Sequence, residues 1–151
     1  MKKVLLVAMM LCSIAFAQDC KYKVNEVDDF TGSVKKITKF EPVGKSDVGI
    51  LKASVIRVGE VYAVTFQFSA DLECLSSDSY ALVKFTDGTT LNINNIASID
   101  CGDNPTFIGS ITKDSFLRSK TIDKIRLKYD YYTDVLITNQ SFLIEGLKCV
   151  E

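Results

Sequence analysis

The chain has no histidine among its 151 residues. Histidine is the usual general base near neutral pH and the commonest metal ligand. A Ser-His-Asp or Cys-His nucleophilic site therefore cannot be built from this chain alone. No CxxC pair occurs either, which removes the usual framework of a structural zinc site. Gly44 and Gly49 stand apart and match no phosphate-cradling fingerprint. A basic excess is also lacking: 18 Lys and Arg face 19 Asp and Glu, for a formal net charge of −1. That balance argues against a nucleic-acid partner, which calls for a clustered basic footprint. Proline is confined to Pro42 and Pro105, and no repeat, linker or low-complexity tract divides the chain.

Long apolar runs are absent except at the start. Lys2 and Lys3 precede an uncharged stretch, residues 4–16, that is apolar apart from Ser13, and Ala15-Phe16-Ala17 is a small-x-small cleavage pattern. These features predict a secretory signal peptide over residues 1–17, cleaved before Gln18. A spanning helix needs about 20 apolar residues, and this run ends before Gln18 and Asp19. Cys12 and Cys20 are both misplaced for a lipoprotein cut, and the short Lys-led signal has a bacterial character. The expected mature chain, residues 18–151, is one domain with no later segment able to cross a membrane. Loss of Lys2 and Lys3 moves its charge from −1 to −3.

Signal removal also turns five cysteines into four: Cys20, Cys74, Cys101 and Cys149. An even count in an oxidising compartment predicts two disulfides. Three pairings exist. Cys74 with Cys101 is favoured because both stand at strand ends beside polar loops, leaving Cys20 with Cys149 to join the two ends of the mature chain.

Apolar periodicity is that of strands. Tyr62, Val64, Phe66 and Phe68 alternate with Ala63, Thr65 and Gln67, the pattern of a half-buried strand, and Leu51, Ala53 and Val55 alternate before them. Gly59-Glu60 reads as a two-residue hairpin turn, and Asp87-Gly88 as a type I′ turn between strands at 80–86 and 89–93. Further strands are expected at 21–27, 33–40, 106–112 and 125–129, with another ending at Ile137. Residues 114–120 suit one helical turn capped near Lys113 or Asp114. Residues 139–150 suit a short helix capped by Asn139 or Ser141, although Gly146 weakens it. About eight strands with one or two short helices predict a mainly β fold, all-β or α+β, built as an antiparallel sandwich or curled sheet. The apolar side chains suffice to fill its core without a cofactor.

Two groups of residues could carry binding chemistry. Asp71, Asp78, Asp100, Asp103 and Asn104 would converge if Cys74 joins Cys101, and gathered oxygen ligands could hold Ca²⁺ or supply a carboxylate pair. Turn-capping polar loops explain the same residues, and no EF-hand spacing exists. Tyr129, Tyr131 and Tyr132 cluster beside Asp130, Asp134, Lys128 and Arg126, as aromatics do in sugar and protein recognition, or as strand packing would place them. Strict alternation puts Tyr129 and Tyr131 on one face and Tyr132 on the other. Asn139-Gln140-Ser141 matches a glycosylation sequon, which matters only in a eukaryotic secretory route.

Asp28-Asp29-Phe30-Thr31-Gly32, Ser77-Asp78-Ser79, Phe85-Thr86-Asp87-Gly88-Thr89-Thr90-Leu91, Ile99-Asp100-Cys101-Gly102-Asp103-Asn104 and the ending 131–149 resemble small exported bacterial β-rich proteins of unassigned function. The resemblance covers most of the mature chain. It implies export, and it carries over no activity and no functional residue. The sequence thus favours an exported, periplasmic or secreted, non-enzymatic domain that binds a protein or glycan or serves as a structural accessory. The rivals are a secreted hydrolase using a carboxylate pair and an inhibitor presenting the Cys101–Pro105 loop.

Overall fold

The computed structural model describes residues 19–69, 71–112 and 116–151, with the backbone alone for 71–73 and 116. The expected signal segment and the Lys113–Asp114 cap lie outside the described residues. The protein is mainly β, as its periodicity predicts, with antiparallel pairing throughout and a helix near the C-terminus. The strands are β1 (Tyr22–Val27), β2 (Val34–Thr38), β3 (Glu41–Lys45), β4 (Ile50–Val58), β5 (Val61–Phe68), β6 (Asp71–Leu75), β7 (Tyr80–Phe85), β8 (Thr90–Asn94), β9 (Asp100–Asp103), β10 (Thr106–Ile111), β11 (Ile122–Lys128) and β12 (Tyr132–Ile137). A single 3-10 turn spans Phe116–Arg118, and helix α1 spans Phe142–Val150.

The strands without a counterpart among the expected stretches are β3, β6 and β9. Each is four or five residues long and lacks a clear period of two. β3 holds Pro42, which cannot donate a ladder hydrogen bond, and a register shift between Pro42 and Gly44 accommodates it.

β4 organises the sheet. β5 pairs along its whole length, from Val58 opposite Val61 to Leu51 opposite Phe68. The other edge is divided: β2 takes residues 56–58 and β3 takes 50–53. From β3 the sheet runs through β12, β11 and β7 to β8, and from β5 it runs to β10. The two ends then meet, because Asn95 bridges Gly109 and Ile96 N donates to Ile108 O at 2.8 Å. The predicted curled sheet thus closes into a ring in the order β3-β4-β5-β10-β8-β7-β11-β12, with β1–β2 as a ribbon extending from β4.

The ring surrounds the core. Leu51, Val55, Tyr62, Val64, Phe66, Phe68, Val83, Phe85, Phe107, Ile125, Leu127 and Val135 are all at most 2% exposed. β5 is buried on both faces rather than one, since Ala63 and Thr65 are covered as well. It is a central strand between β4 and β10, and the small side chains of Thr65 and Ser54 stand directly opposite each other. Thr65 Oγ1 finds no hydrogen-bond partner among the described residues.

Two turns differ in instructive ways. Gly59 takes φ 57°, as its hairpin requires. At Asp87-Gly88 the glycine alone has positive φ, 85°. Gly88 N donates to Phe85 O, and Phe85 N donates to Thr89 O, so a type I turn with a glycine bulge replaces the type I′ turn. The Asp87 carboxylate accepts from Thr89 N and Oγ1 and pairs with Lys120 at 2.7 Å, which holds its acidity well above that of an ordinary aspartate.

Helix α1 lays Phe142, Leu143, Leu147 and Val150 into the core. Ser141 precedes it, but its hydroxyl donates to Glu145 Oε1 instead of accepting from a helix N–H. Gly146, a poor helix former, has a packing reason: a Cβ there would lie 2.4 Å from Val55 Cγ2. Arg57 crosses to the end of the helix and donates to Glu151 O at 2.7 Å, where a cation complements the helix dipole. Both disulfides close in the favoured pairing, Cys20–Cys149 across 129 residues and Cys74–Cys101 across 27. In the chain-entropy model such loops stabilise by about 5 and about 3.5 kcal/mol.

Gly146→Ala should destabilise by about 1–2 kcal/mol in urea denaturation, overpacking outweighing the gain in helix propensity. Thr65→Val should leave stability unchanged or raise it by up to about 1 kcal/mol, because it removes an unpaired buried hydroxyl. A stabilising Gly146→Ala would show that α1 does not rest on Val55.

Candidate binding face and cleft

The acids come first, because the Cys74–Cys101 bridge does draw their strands together. β6 and β9 form a two-stranded ribbon with Asp71 opposite Asp103 and Leu75 opposite Asp100. Asp100 Oδ2 accepts from Thr106 N at 2.8 Å, tying the start of β10 to the ribbon. Asn104 takes a left-handed φ of 63° in the turn between them. Asp78 lies in the separate turn before β7, where its N–H donates to Ser76 Oγ. Among the described residues no group of three or more acidic, Cys or His side chains is arranged to hold a metal; the Asp71 side chain lies outside them. Asp100 and Asn104 have structural roles here, those of turn-capping polar residues.

The tyrosines divide as the alternation predicts, with the Tyr129 and Tyr131 rings in edge-to-face contact at 6.3 Å and Tyr132 on the other side. Tyr129 follows β11 and is buried, 7% exposed, its hydroxyl sharing a 2.8 Å hydrogen bond with Thr133 Oγ1. Tyr129 N donates to Tyr131 O, so residues 129–131 are the hairpin turn. Tyr129 is a core residue, and the exposed Tyr131 ring packs against it on the same side. Tyr131 and Tyr132 are 64% and 61% exposed.

Tyr132 belongs to a wider face. Cross-strand partners project to the same side of a sheet, so the registers define its rows. One row runs Asn94, Tyr80, Lys128, Tyr132; the next, Asn92, Leu82, Arg126, Asp134; the third, Thr90, Lys84, Lys124, Leu136, Lys45. Arg126 grips Asp134 through two hydrogen bonds, Nε to Oδ1 at 2.5 Å and Nη2 to Oδ2 at 2.7 Å. Its guanidinium lies 5.8 Å from the centre of the Tyr132 ring, a cation–π arrangement. The hydrogen bond from Arg126 lowers the Asp134 pKa, and the same pair raises that of Arg126. The neighbouring Tyr132 side chain, reinforced by desolvation, raises the Tyr80 pKa. Tyr132, Arg126 and Asp134 thus form one connected network on the outside of the ring, with Tyr80 in the same row as Tyr132.

A second concavity has no counterpart in the sequence pattern. Where β2 and β3 part along β4, a cleft of about 280 Å³ opens between the sheet and α1. Val43, Ala53, Val55 and Phe142 contribute apolar surface to it; Lys21, Lys39, Glu41 and Glu145 contribute charge. Lys21 and Glu41 pair at 3.2 Å beside it. These residues come from four separate segments, and no local motif marks them.

No protein-family model matches the chain, and no curated protein or solved structure does so either.

The Arg126–Asp134 pair sets a pH dependence. The folded Asp134 carboxyl has a lowered pKa, so its contribution is present above the unfolded aspartate value and disappears as pH falls through the folded one. An NMR titration should find the Asp134 midpoint below that of exposed aspartates, returning towards the ordinary value in Arg126→Gln. An unshifted midpoint in the wild type would show that the pair does not form in solution.

Proposed function

We propose that this chain is an exported, non-enzymatic binding domain of the bacterial envelope or secreted fraction, and that the face around Tyr132 captures its protein or glycan partner. The observation that carries the reading is the aromatic network itself. Tyr132 is largely exposed and contributes little to the core, yet the Arg126 guanidinium, itself fixed by Asp134, packs against its ring. Rigid exposed aromatics edged by polar groups bind at low entropic cost. Two disulfides suit an oxidising compartment, and no described helix is long and apolar enough to cross a membrane.

Screening the purified domain on glycan and peptide arrays, followed by calorimetry, tests the reading. The expected result is one ligand class, with affinity at least about tenfold weaker in Tyr132→Ala and an unchanged melting temperature, as for an interface hot spot. Turnover of any member of a glycoside and ester panel, lost in Asp100→Asn, would overturn it in favour of a hydrolase.

A further inference from the structure

The outer face around Tyr132 is unusually basic. Its three rows hold Lys45, Lys84, Lys124, Arg126 and Lys128 against one acid, Asp134, in a chain whose formal net charge is −1. The acid is already occupied by Arg126. Among the described residues the four lysines have no ion-pair partner. Lys84 and Lys124 stand directly opposite each other on neighbouring strands. Like charges in that position destabilise a sheet pair. Asp134 lies within electrostatic reach of Lys124, but among the described residues no ion pair offsets the opposition, and a local rule broken in this way marks a place where function sets the residue choice.

We propose that this face binds an anionic polysaccharide, a linear sugar chain bearing carboxylate groups. Strands stand about 4.8 Å apart and same-face residues recur about every 6.8 Å along a strand, so the lysines form a lattice of cation positions suited to repeated anions. The other groups on the face suit sugars. The hydroxyls of Tyr80 and Tyr132 and the paired amides of Asn92 and Asn94 offer hydrogen bonds beside the cations. The Tyr132 ring offers an apolar surface. Docking of a folded protein favours a central apolar anchor in a pocket; of the two leucines on the face, Leu82 is half-buried among polar neighbours, and Leu136 is exposed in the third row, between Lys124 and Lys45. Docking to an anionic bilayer would need aromatic tips free to insert, and here the Tyr132 ring is engaged by the Arg126 guanidinium. The inference rests on the binding-domain reading above and names the ligand class of that same face.

The test is calorimetric titration of the intact domain with polygalacturonate, using dextran, poly-L-glutamate, single-stranded DNA and phosphatidylglycerol vesicles as comparisons. Polygalacturonate should bind, and should weaken at least about tenfold between about 0.05 M and about 0.5 M NaCl as the charges are screened. The double variant Lys84→Ala/Lys124→Ala should weaken binding at least about tenfold while its melting temperature holds or rises, because a repulsion has been removed. Asp134→Asn should strengthen binding, whereas Lys23→Ala/Lys35→Ala on the β1–β2 ribbon should leave it unchanged. Equal or tighter binding of polyglutamate, DNA or vesicles would overturn the choice of polysaccharide. Insensitivity to the Lys84/Lys124 change would overturn the role of the face. Dextran binding that depends on Tyr132 but not on the lysines would overturn this inference and leave the binding-domain reading intact. The absence of binding to every probe would overturn the inference.

Discussion

Asn95 holds together the two ends of the sheet. Its backbone N–H donates to Ser79 O at 3.0 Å, and its side-chain amide donates to Ser76 O at 2.8 Å. Its Oδ1 accepts from Ala97 N at 3.2 Å and from Ile108 N at 3.1 Å. One buried side chain thus joins the turn before β7, the segment after β8, and β10. The bridge partner Gly109 is equally constrained, since a Cβ there would lie 2.2 Å from Ile93 Cγ2. The junction has little regular ladder, and a single polar residue supplies much of the hydrogen bonding that a strand pair would provide.

Closure at this seam completes the ring and with it the setting of the outer face. β7, β11 and β12 are packed from behind by Val83, Ile125, Leu127 and Val135, all essentially inaccessible. Their outward residues therefore have little freedom to shift register, because a slip of one position would exchange core and surface. At the opposite side, β12 meets β3 through only two residue pairs, Leu136 with Lys45 and Ile137 with Gly44. Gly44 is required there: a Cβ would approach Leu136 O at 2.6 Å. The cationic rows are thus held between two short seams that both rely on glycine for close approach.

The locally encoded parts of this architecture were legible in the sequence. The β4–β5 and β7–β8 hairpins announce themselves through alternation and Gly59 or Gly88, and the C-terminal helix through its apolar spacing. Cys74 and Cys101 could be matched because strand ends and polar loops flank both. What depends on long-range register could not be read. β3, β6 and β9 are too short for periodicity, the Asn95–Gly109 seam rests on an isolated bridge, and the cleft draws on four segments. The tyrosine cluster and its division between two sides were visible, but the burial of Tyr129 against Thr133 was not. The opposition of Lys84 and Lys124 emerges only once β7 and β11 are paired.

The seam at Asn95 is the most direct test of the account. In Asn95→Ala, Ser76 O and Ile108 N lose their side-chain partner, which should cost about 2–4 kcal/mol. Hydrogen exchange at the Ile96 and Ile108 amides should accelerate by more than that at Ala53 or Val64. A loss below about 0.5 kcal/mol, less than one ordinary net hydrogen bond, with both amides still protected, would contradict the claim that this residue closes the sheet.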